Sequence, residues 1–339
     1  MTSANKVADT IFTVAPGVAF RYGQKSLAHG SLGYTQSFVR YASKSVPNVS
    51  LGSGNADFGY DNGNLALAAS AAFQQLNQND NAVSALGQNQ IFRRDLLDLA
   101  FSVETGLTAK TRLGTGVYFD QVEYKTAGLI GTRDISVPVK VFLAATPKTS
   151  VFVGTTYRDV KPQAGGPSGH DLYYNIGARG NFTSKLSGEF SVGYRSRDVG
   201  PHAAENLWGF DGNLSYEITP KSNLALLLSR DFSTGARGES LKTDRFLLKA
   251  TTDPTSQWSF GASLSYQDSD YGPAFFRLGN LPAITIRQDR FWEGDFTATY
   301  IFTNWLTLTA DYSVRDNHST LPGAKYSDDI LSLTLGLRY

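Results

Sequence analysis

The sequence predicts an all-β fold: a transmembrane antiparallel up-and-down β-barrel of about 16–18 strands. Three observations carry this. Most of the 339 residues fall into short runs in which apolar and polar side chains alternate, the period of an extended strand and not of a helix. Two kinds of connection alternate between the runs. The last run, Leu331–Tyr339, puts Leu331, Leu333, Leu335, Leu337 and Tyr339 on one face and Ser332, Thr334, Gly336 and Arg338 on the other. A terminal strand this apolar is an aggregation hazard in water. Against lipid, as one wall of a barrel, it is stable.

Taken in order, Phe12, Val14, Val18, Phe20 and Tyr22 mark a first strand, with Pro16 placing it near an edge or bulge. Leu32, Tyr34 and Phe38 mark a less regular second strand. Residues 43–61 hold a weak strand around Gly52–Tyr60, and Leu65 to Phe73 form a clear one. Gln74 to Gln90 read as a long loop. From Phe92 onward the alternation is regular: Leu97–Val103, Leu113–Phe119, Ile135–Leu143, Val151–Tyr157, Leu172–Phe182, Leu186–Tyr194, Trp208–Ile218, Leu224–Leu228, Phe246–Ala250, Trp258–Tyr266, Trp292–Tyr300, Leu306–Val314 and the terminal run. The whole chain, 1–339, reads as one barrel domain with an irregular segment at 1–8.

The short connections are Leu107-Thr-Ala-Lys, Thr146-Pro-Lys-Thr, Phe182-Thr-Ser-Lys, Thr219-Pro-Lys-Ser, Asp253-Pro-Thr-Ser and Phe302-Thr-Asn-Trp, at a spacing of roughly 35–40 residues with a wider last step. The long, polar ones are 161–170, 198–206, 232–243, 267–288 and 316–327. Short periplasmic turns and longer extracellular loops are the pattern of outer-membrane barrels. Outward aromatics sort to the two ends. Tyr157, Tyr194, Trp208, Tyr266 and Trp292 lie by the long loops; Phe182, Trp258, Phe302, Trp305 and Tyr339 lie by the short turns. From these, Trp208, Trp258, Trp292, Trp305 and Tyr339 are the expected aromatic girdle.

The opposite face carries Arg94, Asp98, Glu104, Arg112, Lys140, Arg158, Arg179, Glu189, Arg195, Asp211, Glu217, Lys249, Glu293, Asp295, Asp311 and Arg315. Charges in these numbers cannot sit unpaired in a dry core. At about sixteen strands a barrel encloses an aqueous lumen, so these residues are expected to line a pore. The 267–288 connection contains Phe275, Phe276, Leu278, Leu281, Ile284 and Ile286 around Arg277. It is too apolar to stand in water alone, and Phe275, Phe276 and Arg277 are expected to constrict the outer mouth.

Composition removes other classes. No window supplies the ~20 apolar residues of a spanning helix, while a barrel strand needs only ~9–11. There is no cysteine, and the net charge is +1, so neither a disulfide framework nor nucleic-acid binding is indicated. Met1 to Lys6 have no apolar segment of a signal peptide. His29, His170, His202 and His318 are scattered, the last three in expected loops. Gly165-Gly-Pro-Ser-Gly-His lacks the ending of a phosphate loop. No metal, cofactor or catalytic constellation is expected. Arg158-Asp159, Arg197-Asp198, Arg230-Asp231 and Arg315-Asp316 sit where strands leave for long loops; they could ring the mouth or simply be hydrated.

At Asp9-Thr-Ile-Phe-Thr-Val-Ala-Pro-Gly-Val, the Thr-Pro-Lys-Thr/Ser turns, the Tyr157-Arg-Asp and Tyr194-Arg-Ser-Arg-Asp strand exits, and Phe302-Thr-Asn-Trp-Leu-Thr-Leu-Thr-Ala-Asp-Tyr, the chain resembles the second family of putative β-barrel porins. The likeness runs over nearly the whole chain. It implies a bacterial outer-membrane location among lipid and lipopolysaccharide. The C-terminal strand also resembles the signal read by the barrel-assembly machinery. The resemblance is to porins often linked to exopolysaccharide export and supplies no catalytic residues. The function expected is a channel for passive diffusion of small hydrophilic solutes. The alternative is a conduit for a secreted polysaccharide working with periplasmic partners, for which inward Tyr118, Phe142, Tyr173 and Phe291 would serve sugar stacking.

Overall fold

A computed structural model describes residues 9–43, 47–78, 92–163, 168–199, 204–236, 238–274, 287–321 and 324–338. The alternating runs become eighteen strands: β1 (Ile11–Val14), β2 (Gly17–Tyr22), β3 (Ala28–Tyr41), β4 (Val49–Asp61), β5 (Leu65–Gln78), β6 (Phe92–Gly106), β7 (Thr111–Tyr124), β8 (Thr132–Ala144), β9 (Thr149–Pro162), β10 (Gly169–Asn181), β11 (Leu186–Val199), β12 (Glu205–Thr219), β13 (Ser222–Thr234), β14 (Glu239–Thr252), β15 (Trp258–Ala274), β16 (Arg287–Thr303), β17 (Leu306–Ser319) and β18 (Tyr326–Leu337).

Each strand from β3 onward pairs antiparallel with the next. β1 and β2 both pair with β3, through Ile11↔Tyr41 and Gly17↔Thr35. They are two halves of one crossing, interrupted at Pro16, which has no amide hydrogen for the ladder. Ahead of β1, Asp9 accepts hydrogen bonds from the Ser43 hydroxyl (2.6 Å), the Ser43 amide (2.9 Å) and the Thr10 amide (2.8 Å). These bonds, the Ser43 hydroxyl first, hold its carboxyl below the usual carboxylate range.

The weak strand expected in 43–61 is β4. With it, successive connections alternate between the two ends of the wall. Most strands from β3 onward are 13–17 residues long, more than the ~9–11 a crossing needs. The wall therefore projects past the apolar band at the long-loop end. Several expected loops shrink accordingly: β5 runs to Gln78, β15 to Ala274, and the 232–243 connection is a short hairpin turn between Thr234 and Glu239. Segment 1–8, Tyr339 and the expected constriction at Phe275, Phe276 and Arg277 lie outside the described residues.

Outward side chains are largely exposed, as a lipid-facing surface requires: Val153 58%, Ile176 60%, Phe296 51%. Those on β18, at 63–73% for the alternate leucines, are more so, because β18 has a described partner on one side only. Much of what is buried lies at the long-loop end, where Phe92, Ile130, Val160, Val199, Phe232, Ala236, Leu241, Tyr271 and Ala324 are all buried; Phe142 and Phe152 are buried nearer the short turns.

Candidate functional site: the barrel interior

The interior follows from strand parity. A cavity of about 720 Å³ is bounded by side chains from β3 through β13, among them His29, Ser102, Glu104, Tyr118, Ser136, Lys140, Thr156, Arg158, Asp171, Tyr173, Arg179, Glu189, Arg195, Asp211 and Asp231. Glu104, Lys140, Arg158, Arg179, Glu189, Arg195 and Asp211 are among the residues expected there.

Their charges are matched across the space. Arg179 on β10 donates to both Glu104 oxygens on β6, at 2.7 and 2.6 Å, and Arg112 Nε donates to the same carboxylate at 2.5 Å. Lys140 meets Glu189 at 2.5 Å. Arg158 on β9 donates to both oxygens of Asp231 on β13 (2.8 and 3.1 Å) and to Asp171 (2.7 Å). Arg195 pairs with Asp211 and, at 3.1 Å, with Asp231. Parallel N–H bonds to one carboxylate are the strong form of the interaction, and bonds that skip several strands act as struts across the lumen.

The cations are also stacked. The Arg179 guanidinium lies 3.4 Å from the Phe142 ring centroid and Arg195 3.5 Å from that of Tyr173, within cation–π range. Glycines on the same face leave room for both rings: a Cβ at Gly193 would stand 2.8 Å from Tyr173 Cε2, and one at Gly114 3.0 Å from Phe142 Cε2.

The remaining expected residues lie elsewhere on the same face. Arg315 and Glu293 pair at 2.6 Å. Asp295 accepts from Ser263 and Asp311 from Thr297. Asp98 faces Asp120, which in turn faces Asp134, a row of three carboxylates in register on β6, β7 and β8. Arg94 lies toward the mouth, Glu217 near the base of β12 and Lys249 opposite Ser263. On the outer surface Trp208 faces Tyr194, Trp292 faces Tyr266 and Trp258 faces Tyr300, with Trp305 in the β16–β17 turn.

Sequence reasoning missed the second layer: Asp171, Arg197, Asp231 and the β13–β14 hairpin. Arg197, 1% exposed, donates to both Asp171 oxygens at 2.7 and 2.8 Å and to the Ser233 carbonyl at 2.7 Å. Arg158 also donates to the Phe232 carbonyl at 2.9 Å. These bonds hold the hairpin, whose tip crosses the mouth. There Ala236 accepts the Ile130 amide at 2.7 Å and packs against Phe92, with Tyr124 and Leu129 alongside. The signal was present in the Arg-Asp dipeptides. Because strands continue through them, each dipeptide straddles the wall: Arg158, Arg197, Asp231 and Arg315 point in, Asp159, Asp198, Arg230 and Asp316 point out. His170 and His318, expected in loops, are on β10 and β17 and face outward beside Asp159 and Asp316; His202 lies outside the described residues.

The family model described as Putative beta-barrel porin 2 matches residues 132–339. The chain belongs to this family. It is a bacterial outer-membrane β-barrel, with its short turns on the periplasmic side. No curated protein matches the sequence. Among solved structures this porin-family barrel is similar to the FrpB iron transporter from Neisseria meningitidis. For the F3-3 variant the TM-score is 0.52 at 12% identity, covering 98% of this chain and 66% of that one. For the F5-1 variant it is 0.51 at 11% identity, covering 98% and 67%. The likeness is one of fold. The chain spans about two thirds of the length of those transporters.

Proposed function

We propose that the barrel passes small hydrophilic solutes by diffusion through its lumen, and that the β13–β14 hairpin sets how open the outer mouth is. The observation that supports this most is the cavity spanning β3 to β13, lined by charges of both signs of which most are ion-paired. Such a lining wets the lumen without holding one ion tightly. Above it, Ala236 of the hairpin meets the wall at Ile130 through a backbone hydrogen bond and at Phe92 through an apolar contact, contacts that must part for the mouth to widen.

The polysaccharide conduit fits less well. Of the four inward aromatics, Phe142 and Tyr173 are covered by Arg179 and Arg195, and Phe291 faces Tyr326 at 6.4 Å between centroids.

The chain has no cysteine, so Ile130→Cys with Ala236→Cys gives a clean lock. In liposome swelling with neutral sugars, the reduced double variant should admit small sugars. The oxidised form, its cross-link verified by gel mobility, should admit them more slowly. Equal rates would remove the hairpin from the permeation path; no swelling with either form, or with the unmodified chain, would refute diffusion.

A further inference from the structure

Four consecutive periplasmic turns share one construction. In the β6–β7, β8–β9, β10–β11 and β12–β13 connections a threonine hydroxyl accepts the amide of the lysine two residues on. The pairs are Thr108 with Lys110, Thr146 with Lys148, Thr183 with Lys185 and Thr219 with Lys221, each at 3.2 Å. The threonine fixes the turn, as such side-chain turns do, and so fixes where the lysine leaves the backbone. The same hydroxyl turn recurs at Thr255 and Thr303, but there the third residue is Gln257 or Trp305. Lysine is thus not required by the turn.

All four lysines are exposed, and the turn residues from each threonine to its lysine include no carboxylate. Two ammoniums are already placed: Lys185 Nζ donates to the Ile218 carbonyl at the end of β12, at 2.9 Å, and Lys221 Nζ to the Pro254 carbonyl on the following turn, at 3.0 Å. An ammonium has three donors, so each keeps capacity for another acceptor. Successive turns are two strands apart, roughly 10 Å, which is about one Debye length at physiological salt. The four charges therefore act on one another, and an anion bridging them relieves that repulsion.

We propose that these four lysines form an arc that binds the phosphates of anionic phospholipid headgroups in the periplasmic leaflet of the outer membrane. The level is right for this. Exposed outward Leu107, Leu143 and Ile218 flank the turns, so the lysines stand where the apolar wall ends and headgroups begin, as snorkelling cations do.

The test uses the folded barrel in phosphatidylcholine vesicles carrying traces of spin-labelled phosphatidylglycerol or spin-labelled phosphatidylcholine. Electron paramagnetic resonance reads the fraction of each held at the protein surface. The unmodified chain should hold the phosphatidylglycerol label in preference, less so as salt rises. The K110Q/K148Q/K185Q/K221Q variant should lose the preference, and the four lysine-to-arginine changes should keep it. No preference in the unmodified chain, or one that survives in the glutamine variant, overturns the proposal. Gel mobility with and without heating checks that the variants are folded. If the quadruple variant does not fold, K110Q/K148Q, which removes no described lysine–carbonyl bond, should halve the preference, and an unchanged preference there has the same force against the arc.

Discussion

Arg179 and Glu104 stand four strands apart and are joined by two parallel hydrogen bonds of 2.7 and 2.6 Å. Strand-to-strand pairing places each residue against its neighbours. A bond of this reach ties two distant parts of the wall to each other. Replacing Arg179 with Gln leaves Glu104 held by Arg112 alone. Charged hydrogen bonds contribute about 1.5–3 kcal/mol, and both side chains are partly solvated, at 29% and 20% exposed, so the loss should be about 1–2 kcal/mol. Urea unfolding in lipid vesicles measures it. A loss no greater than that of an exposed surface pair would mean that the strut adds nothing to the wall.

Arg197 should matter more. Its guanidinium is buried, and without it Asp171 keeps only Arg158, while the Ser233 carbonyl loses a donor. Arg197→Gln should cost about 2–3 kcal/mol, the loss of charged hydrogen bonds rather than the full penalty of stranding a buried charge, because Asp171 keeps Arg158. Arg197→Lys restores the charge but not the paired geometry and should fall between. Lys161→Gln, whose side chain is 61% exposed beside Asp159, serves as the comparison and should change stability by less than about 0.5 kcal/mol. Equal effects at 197 and 161 would contradict the buried network.

The glycine seats predict a position-dependent penalty. A Cβ at Gly193 would stand 2.0 Å from the Tyr174 carbonyl oxygen and 2.8 Å from the Tyr173 ring, whereas one at Gly294 meets nothing within 4 Å. Gly193→Ala should destabilise by about 1–3 kcal/mol through overpacking. Gly294→Ala should leave the same unfolding midpoint as the parent. If the two substitutions behave alike, Tyr173 is not seated on Gly193.

The terminal strand separates lipid from lumen at adjacent residues. Leu335 is 63% exposed on the outward face, and Thr334, one residue earlier, lies on the inward face against Thr309. Leu335→Arg near the midplane should cost roughly 2–4 kcal/mol and Thr334→Arg much less. Equal losses in a lipid-folding titration would reverse the inside–outside assignment.

Much of this barrel is legible before any coordinates. Period-two alternation separates the faces of Leu331–Leu337 and of Ile135–Leu143 on local evidence alone, because a strand turns successive side chains to opposite sides. The same parity puts Glu104, Lys140, Arg158, Arg179 and Arg195 on one interior surface. The Thr-x-Lys turns are also readable, since a threonine hydroxyl and an amide two residues away form a local contact. Composition obscured strand ends. Polar stretches such as 232–243 read as loops, but above the apolar band a strand no longer needs apolar residues to remain a strand, so nothing in the pattern marks where it stops.

The partners across the lumen belong to the tertiary structure alone. Nothing in the sequence near Arg158 points to Asp231, or in that near Arg179 to Glu104, because those pairings depend on curvature and shear accumulated over four strands. The reach of Ala236 to Ile130 has the same origin. Alternation along the chain determined which face each residue takes; curvature of the wall in space decided which residues on that face meet.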